Sequence, residues 1–172
     1  MAQLPILVAP DPRLKLRAEP VAQVDACVRQ LMDDLLETMY TASGIGLAAP
    51  QVGVLQQVLV VDVAGPNEPA QPYRMANPEV LWSADAWRSV EEGCLSLPEQ
   101  FSEVSRPGQV RVRYLDETGA LRVLDADGLL ARCVQHEIDH LQGVLFVDHI
   151  SSLRRNMILR KLAKVKRLAA AE

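Results

Sequence analysis

Gly128-Leu129-Leu130-Ala131-Arg132-Cys133-Val134-Gln135-His136-Glu137-Ile138-Asp139-His140-Leu141 is the stretch on which the reading of this chain turns. Its apolar residues recur at helical spacing, Asp127 stands at the N-cap position, and Gly143 follows just past the end, so a helix is predicted over 128–141. Within it lies His136-Glu137-Ile138-Asp139-His140. Two histidines at i and i+4 sit one turn apart on the same face, and both rings can then reach one metal ion at ~2.0–2.1 Å from nitrogen. Glu137 lies about 100° further round the helix. A carboxylate there flanks the ion without ligating it and can take a proton from an activated water. Two surface histidines and a solvated glutamate would give the same letters. The flanking Val134, Ile138 and Leu141, and the fact that two of the chain's three histidines fall in these five residues, favour a metal site.

Working outward, Val28, Leu31, Met32, Leu35, Leu36 and Met39 form one apolar helical face behind an expected N-cap at Asp25, and Ser43-Gly44 ends that helix. Residues 4–20 hold four prolines and read as irregular. Val58 to Val63 reads as a buried strand, Pro66, Pro69 and Pro72 mark a loop, and Val80–Ser83 and Arg88–Leu95 read as strands. Val110 to Tyr114 alternates as a half-buried strand does, Glu117-Thr118-Gly119 is a turn, and Leu121–Leu124 returns. A last amphipathic helix is expected over 152–170, with Ile158, Leu162, Val165 and Ala169 on one face. Strands gathered between one early and two late helices indicate an α+β fold. The expected architecture is short, mostly antiparallel strands packed around a central HExxH helix, with a long N-terminal and a C-terminal helix. Residues 1–150 would form the catalytic body, and 151–172 a basic helix of the same single domain.

A catalytic metal site needs a third protein ligand and an open position. His149 is available downstream. The better candidate lies upstream, in Glu91-Glu92-Gly93-Cys94-Leu95-Ser96-Leu97-Pro98, where Cys94 offers a thiolate. Spacing alone leaves Cys133 open as well, with a small buried residue beside the site as its other reading. Cys27 reads as helix packing. A third segment, Gly44-Ile45-Gly46-Leu47-Ala48-Ala49-Pro50-Gln51-Val52-Gly53, is too rich in Gly and Ala for an ordinary helix or strand interior and suits the close approach of a ligand or another backbone.

Composition bounds the rest. The 172 residues are 49% hydrophobic and 23% charged, an ordinary globular balance for one domain. The longest apolar runs fall far short of the ~20 residues a membrane helix needs. The opening Met1-Ala2-Gln3-Leu4-Pro5 has no basic, apolar leader pattern, and three cysteines suit reduced thiols or ligands better than a disulfide framework. A cytoplasmic protein without membrane contact is the expectation. The net charge is −4, yet seven of the 18 lysines and arginines lie in 151–172 beside one of the 22 acids. An acidic body with a basic tail suits an anionic partner for the tail, although charge alone slightly favours a solvated helix that happens to be basic.

The three segments together resemble peptide deformylase, whose motifs are GxGLAAxQ, EGCLS and HExxH. This chain has Gly44–Gln51, Glu92–Ser96 and His136–His140 in that order at fitting separations, and Ile6 to Leu14 is similar to the family's opening. The resemblance covers nearly the whole chain. It implies that Cys94, His136 and His140 hold one divalent ion with water in the fourth place: Fe(II) in the cell, with Zn(II), Ni(II) or Co(II) able to replace it. It implies hydrolysis of the N-formyl group from the initiator methionine of a nascent chain, releasing formate. Glu137 would move the proton, and the Gln51 amide and the Leu95 backbone N–H would donate to the developing oxyanion.

The resemblance further implies that the backbone of Gly44, Ile45 and Gly46 pairs with the extended peptide. Leu129, Cys133 and His136, at i, i+4 and i+7, would line the methionine pocket with Ile45. Arg132 adjoins this wall where several relatives carry an apolar residue, and its stem is expected to cover the pocket while its charge meets solvent. Phe101 stands where some relatives have a basic residue near the substrate's downstream end. Glu92 and Arg106 are expected to pair beside the metal. Relatives with such a C-terminal helix use it to dock on the ribosome near the exit tunnel, which the basic residues here would suit, and a monomer is expected. A zinc protease would need a downstream ligand, and the Cys94 segment argues against it. A closed structural site would need neither Glu137 nor Gln51.

Overall fold

The computed structural model describes residues 2–171. Its ten principal elements are α1 (Ala26–Thr41), β1 (Gly46–Ala48), β2 (Val58–Val61), β3 (Tyr73–Ser83), β4 (Trp87–Cys94), β5 (Leu97–Pro107), β6 (Gln109–Leu115), β7 (Leu121–Asp127), α2 (Gly128–Leu141) and α3 (Ser152–Ala170). The strands make two antiparallel sheets, a larger one in the order β1-β2-β3-β6-β7 and a two-stranded one of β4 and β5. This is the expected α+β architecture, with α2 packed against the larger sheet.

The four residues of β2 explain why the middle of the chain reads as a continuous apolar run. Leu59 and Val61 face α2, beside Met75, Val112, Val134 and Leu141. Val58 and Val60 face α1, beside Met32, Leu35 and Met39. A strand covered on both faces has no polar alternation to show. α1 begins as expected, since the Asp25 side chain accepts from Val28 N at 2.9 Å. Asp127 occupies the corresponding place at the start of α2, but its side chain makes no capping bond. Gly143 has φ +74, and a Cβ there would lie 2.4 Å from Lys15 O. Only glycine can turn the chain out of α2 so close to the N-terminal segment.

Several expected boundaries differ. β3 begins at Tyr73, well before Val80. Its register shifts between Ala76 and Glu79, around Asn77 at φ 51 and Pro78, so the apolar pattern is broken there. β2 ends at Val61, two residues early, and β7 continues to Asp127. β5 was not expected at all: its inward positions include Ser102 and Arg106, so it lacks an apolar alternation. The Gly/Ala-rich segment does form a strand, β1, followed by a 3-10 turn over Ala49–Val52. A second such turn covers Pro12–Lys15 in the segment read as irregular. Cys27 is exposed and does not pack, since it lies off the Val28–Met39 face of α1.

A third core cluster joins Leu97 and Val104 of the small sheet to Phe146, Val147, Ile158 and Leu162. α3 touches the body through this cluster. Ile158 and Leu162 are its buried residues, whereas Val165 and Ala169, expected on the same stripe, are exposed because the stripe runs past the edge of the body. No helix among the described residues is long and apolar enough to cross a membrane.

Candidate metal centre

The two sheets meet at α2, and the three sequence segments converge there. β4 and its turn bring Cys94, and α2 brings His136 and His140. Their ligand atoms all lie within 4.8 Å of one another. Cys94 Sγ is 3.4 Å from His140 Nε2 and accepts from Ser96 N at 3.4 Å and Gln51 Nε2 at 3.6 Å. Cys133 is different. Burial is the first cause that pushes its thiol well above the ordinary value, and its Sγ donates to Ile45 O at 3.4 Å. It lies on the wall of the site, outside the cluster. His149 lies elsewhere, with Nε2 2.8 Å from Asp139.

Glu92 organises the ligand helix. Its Oε1 lies 2.9 Å from His136 Nδ1, and both its oxygens take Arg106, Nε at 2.7 Å and Nη2 at 3.0 Å. Burial acts to raise the Glu92 carboxyl, but the hydrogen bonds from His136 and Arg106 outweigh it and hold the group at about 2. An ionised carboxylate can only accept, so His136 Nδ1 carries a proton, which leaves Nε2 as the ring nitrogen that would ligate an ion. One thiolate and two imidazoles, one of them oriented in this way, fit a divalent ion of the Zn, Fe, Co or Ni type.

Glu137 is 3% exposed and stands beside the cluster, with Oε2 buried and without a hydrogen-bond partner. Burial pushes its carboxyl up to about 7. A carboxyl poised there can both take and return a proton near neutral pH. The close packing of β1 makes this possible: a Cβ on Gly46 would lie 2.6 Å from Glu137 Oε1 and 2.7 Å from Cys133 Sγ. Gln51 is held by its own turn. Ala48 N donates to Gln51 Oε1 at 2.9 Å, which aims Nε2 at Cys94 and at Ser96 Oγ, 3.1 Å away. The N-terminal segment braces the arrangement from behind, with Leu7 N donating to Gln51 O at 2.7 Å and Ala9 N to Ser96 O at 2.8 Å.

A cavity of ≈ 470 Å³ opens onto these groups. Gly44, Ile45, Gly46, Leu95, Leu129 and Cys133 are among the residues that line it, as does Phe101. Ile45 and Leu129 are partly exposed toward it. Arg132 does not send its charge to solvent. Its Nη1 donates to Glu92 Oε2 at 2.5 Å and Val104 O at 2.9 Å, and Nη2 donates to Arg88 O at 2.7 Å. The side chain is pulled inward because an ionised, buried carboxylate lies within its reach. Three participants escaped the sequence reading. Ser96 steadies Gln51 and Cys94, Asp139 takes Arg106 Nη1 at 2.8 Å, and Arg132 adds a second guanidinium to Glu92. Ser96 and Asp139 lay inside the quoted motifs, while nothing in the sequence announced the inward turn of Arg132.

Known proteins resemble this chain over nearly its whole length. The family model described as Polypeptide deformylase matches residues 3–156. A peptide deformylase of Methylocella silvestris is 57% identical over 171 residues, covering 98% of this chain and 87% of that protein. One of Mesorhizobium japonicum is 52% identical over 161 residues, covering 94% and 92%. The crystal structure of peptide deformylase from Ehrlichia chaffeensis superposes with a TM-score of 0.94 at 39% identity, covering 98% of this chain and 99% of that one. The same organism's enzyme in complex with actinonin gives a TM-score of 0.93 at 41% identity, covering 97% and 99%.

Proposed function

Because the chain belongs to the peptide deformylase family, metal-dependent hydrolases that remove the N-formyl group from nascent polypeptides, we propose that Cys94, His136 and His140 hold the ion and that Glu137 moves the proton. The observation that carries this assignment is the convergence of those three ligand atoms beside the buried, unpartnered Glu137 oxygen. A divalent ion held there would lower the pKa of an attacking water and polarise the formyl oxygen. Fe(II) is the ion inferred for the cell, with Zn(II), Ni(II) or Co(II) able to occupy the same donors.

The chain's own groups do the remaining work. The extended backbone of Gly44, Ile45 and Gly46 pairs with the peptide and lays the formyl group across the centre. Ile45, Leu129 and Cys133 receive the methionine side chain. Glu137 takes the proton of the attacking water as its oxygen bonds to the formyl carbon. Gln51 Nε2 and the Leu95 backbone N–H donate to the carbonyl oxygen as it gains charge. Losing one such donor costs ~10²–10³ in rate. Glu137 then returns the proton to the methionine nitrogen as the C–N bond breaks, leaving formate and a free amino terminus. Glu92 and Arg106 hold His136 in register throughout.

We further infer a cytoplasmic monomer whose basic α3, residues 152–170, meets ribosomal RNA phosphates near the exit tunnel, with 1–150 carrying the catalysis. The direct test of the site is formate release from a formyl-Met tripeptide by Fe(II)-loaded protein prepared without oxygen, beside Glu137→Ala. Release that vanishes in the variant supports the assignment. Equal release from the variant, with metal bound in both, overturns it.

A further inference from the structure

Arg132 lines two cavities at once. One is the ≈ 470 Å³ space in front of the metal ligands. The other, of ≈ 590 Å³, lies between the start of α2 and the ends of β4 and β6, and Leu129, Val90, Gly108 and Gly128 are among its lining residues. Leu129 and Arg132 belong to both. Arg132 is 8% exposed, and its guanidinium is fixed by Glu92 on one side and by the Val104 and Arg88 carbonyls on the other. Val90 faces the second cavity and is excluded from the first.

We propose that Arg132 is the partition that closes the far end of the methionine pocket and sets the greatest side-chain length this enzyme accepts. The proposal rests on the deformylase reading of the site. A side chain entering past Ile45 and Leu129 runs toward Arg132. To continue it would have to displace a guanidinium held by three acceptors, of which Glu92 is charged. Displacement would leave two backbone carbonyls and a share of a buried carboxylate unpaired, so the barrier is electrostatic as well as steric. Beyond the barrier lies a second space lined by Val90, Leu129, Ala84 and Ala86 and by the polar Ser89 and Asp127. An apolar residue at this position would end the pocket without fixing its end, because nothing would tether it to β4 and β5.

The test is a length series of formyl tripeptides whose first residue is methionine, norleucine, or a norleucine homologue longer by two or by four methylenes. Formate release by the metal-loaded protein gives kcat/KM for each. The expected result for the native chain is a fall of roughly tenfold or more between norleucine and the longest homologue. Arg132→Ala is expected to raise the ratio of longest homologue to methionine by roughly tenfold, with the change appearing mainly in KM. Arg132→Lys, which keeps a stem and a charge against Glu92, is expected to retain the native ratio. A merely structural role for Arg132 would lower every member of the series alike and leave the ratio unmoved. A native chain that accepts the longest homologue as well as methionine overturns the proposal without need of a variant. So does a folded, metal-loaded Arg132→Ala protein with the native ratio. Absence of formate release from every member, by native protein with metal bound, would instead strike at the deformylase reading.

Discussion

His136 Nδ1 and Glu92 Oε1 lie 2.9 Å apart, with both residues buried, and Arg106 is clasped to the same carboxylate through Nε and Nη2. The pair keeps a proton on Nδ1 and anchors the ring through it. Glu92→Gln keeps the size but removes the charge that two guanidiniums share. Metal affinity is expected to fall roughly 10–100-fold, the range typical of groups that orient a ligand. Competition with a chelator reads this directly, and unchanged affinity would show that His136 is positioned by the helix alone.

Gly46→Ala places a methyl between Glu137 and Cys133 where none fits. Overpacking of this kind costs about 1–3 kcal/mol. The larger effect should fall on catalysis, since a displacement of about 1 Å can cost ~10² in rate. Formate release measured beside a thermal melt separates the two, and a variant as active as the native chain would mean that Glu137 tolerates the shift.

Asp148 ties three segments together, taking Lys15 Nζ, Leu145 N at 2.9 Å and Arg155 Nε at 2.9 Å. Burial acts to raise its carboxyl, but the hydrogen bonds from Lys15, Leu145 and Arg155 outweigh it and hold the group below its ordinary 3.8. The folded-state value is therefore the lower one. The stabilisation is complete above the unfolded carboxyl's pKa and is lost as pH falls through the folded value. Asp148→Asn should cost about 1–2 kcal/mol at neutral pH. The gap to the native protein should close below roughly pH 4 in denaturant titrations at each pH. A gap that persists in acid would assign the effect to packing.

Arg160, Lys164 and Arg167 are exposed and recur along one side of α3. If they meet RNA phosphates, changing all three to serine should weaken ribosome binding, and the slope of log affinity against log salt should flatten by about 0.7–0.9 per lost contact. Formate release from a short formyl-peptide should stay at the native level. Co-sedimentation across a salt series checks this, and an unchanged slope would remove α3 from the interface.

What the sequence disclosed, and what it hid, follows from where side chains are buried. α1 was legible because Val28, Met32, Leu35, Leu36 and Met39 all enter one core. The ligand helix was legible because its chemistry and its apolar face share one period. β5 was hidden because Ser102 and Arg106 stand at inward positions, and Arg106 is there to serve Glu92. The local rule fails where a structural position has been given to the site. Arg132 was misjudged for the related reason that its partner lies 40 residues away in the chain. Periodicity does not carry information about such pairs. Spacing pairs the two histidines and residue type makes Cys94 the better third candidate, whereas the place of Gln51 beside them is expected only through the motif resemblance.

The brace formed by Leu7 on Gln51 and by Ala9 on Ser96 bears on when the enzyme becomes competent. Leu7 and Ala9 are held by Gln51 and Ser96, 44 and 87 residues further along the chain, and the ligand helix lies later still. Cys94, His136 and His140 all lie in the second half of the sequence, but Gln51 and the Gly44–Gly46 strand beside them lie in the first, and closing such distant pairs comes late in folding. Activity recovered during refolding should therefore track completion of the whole fold, and a nascent copy of this chain cannot process others until its own synthesis has passed α2.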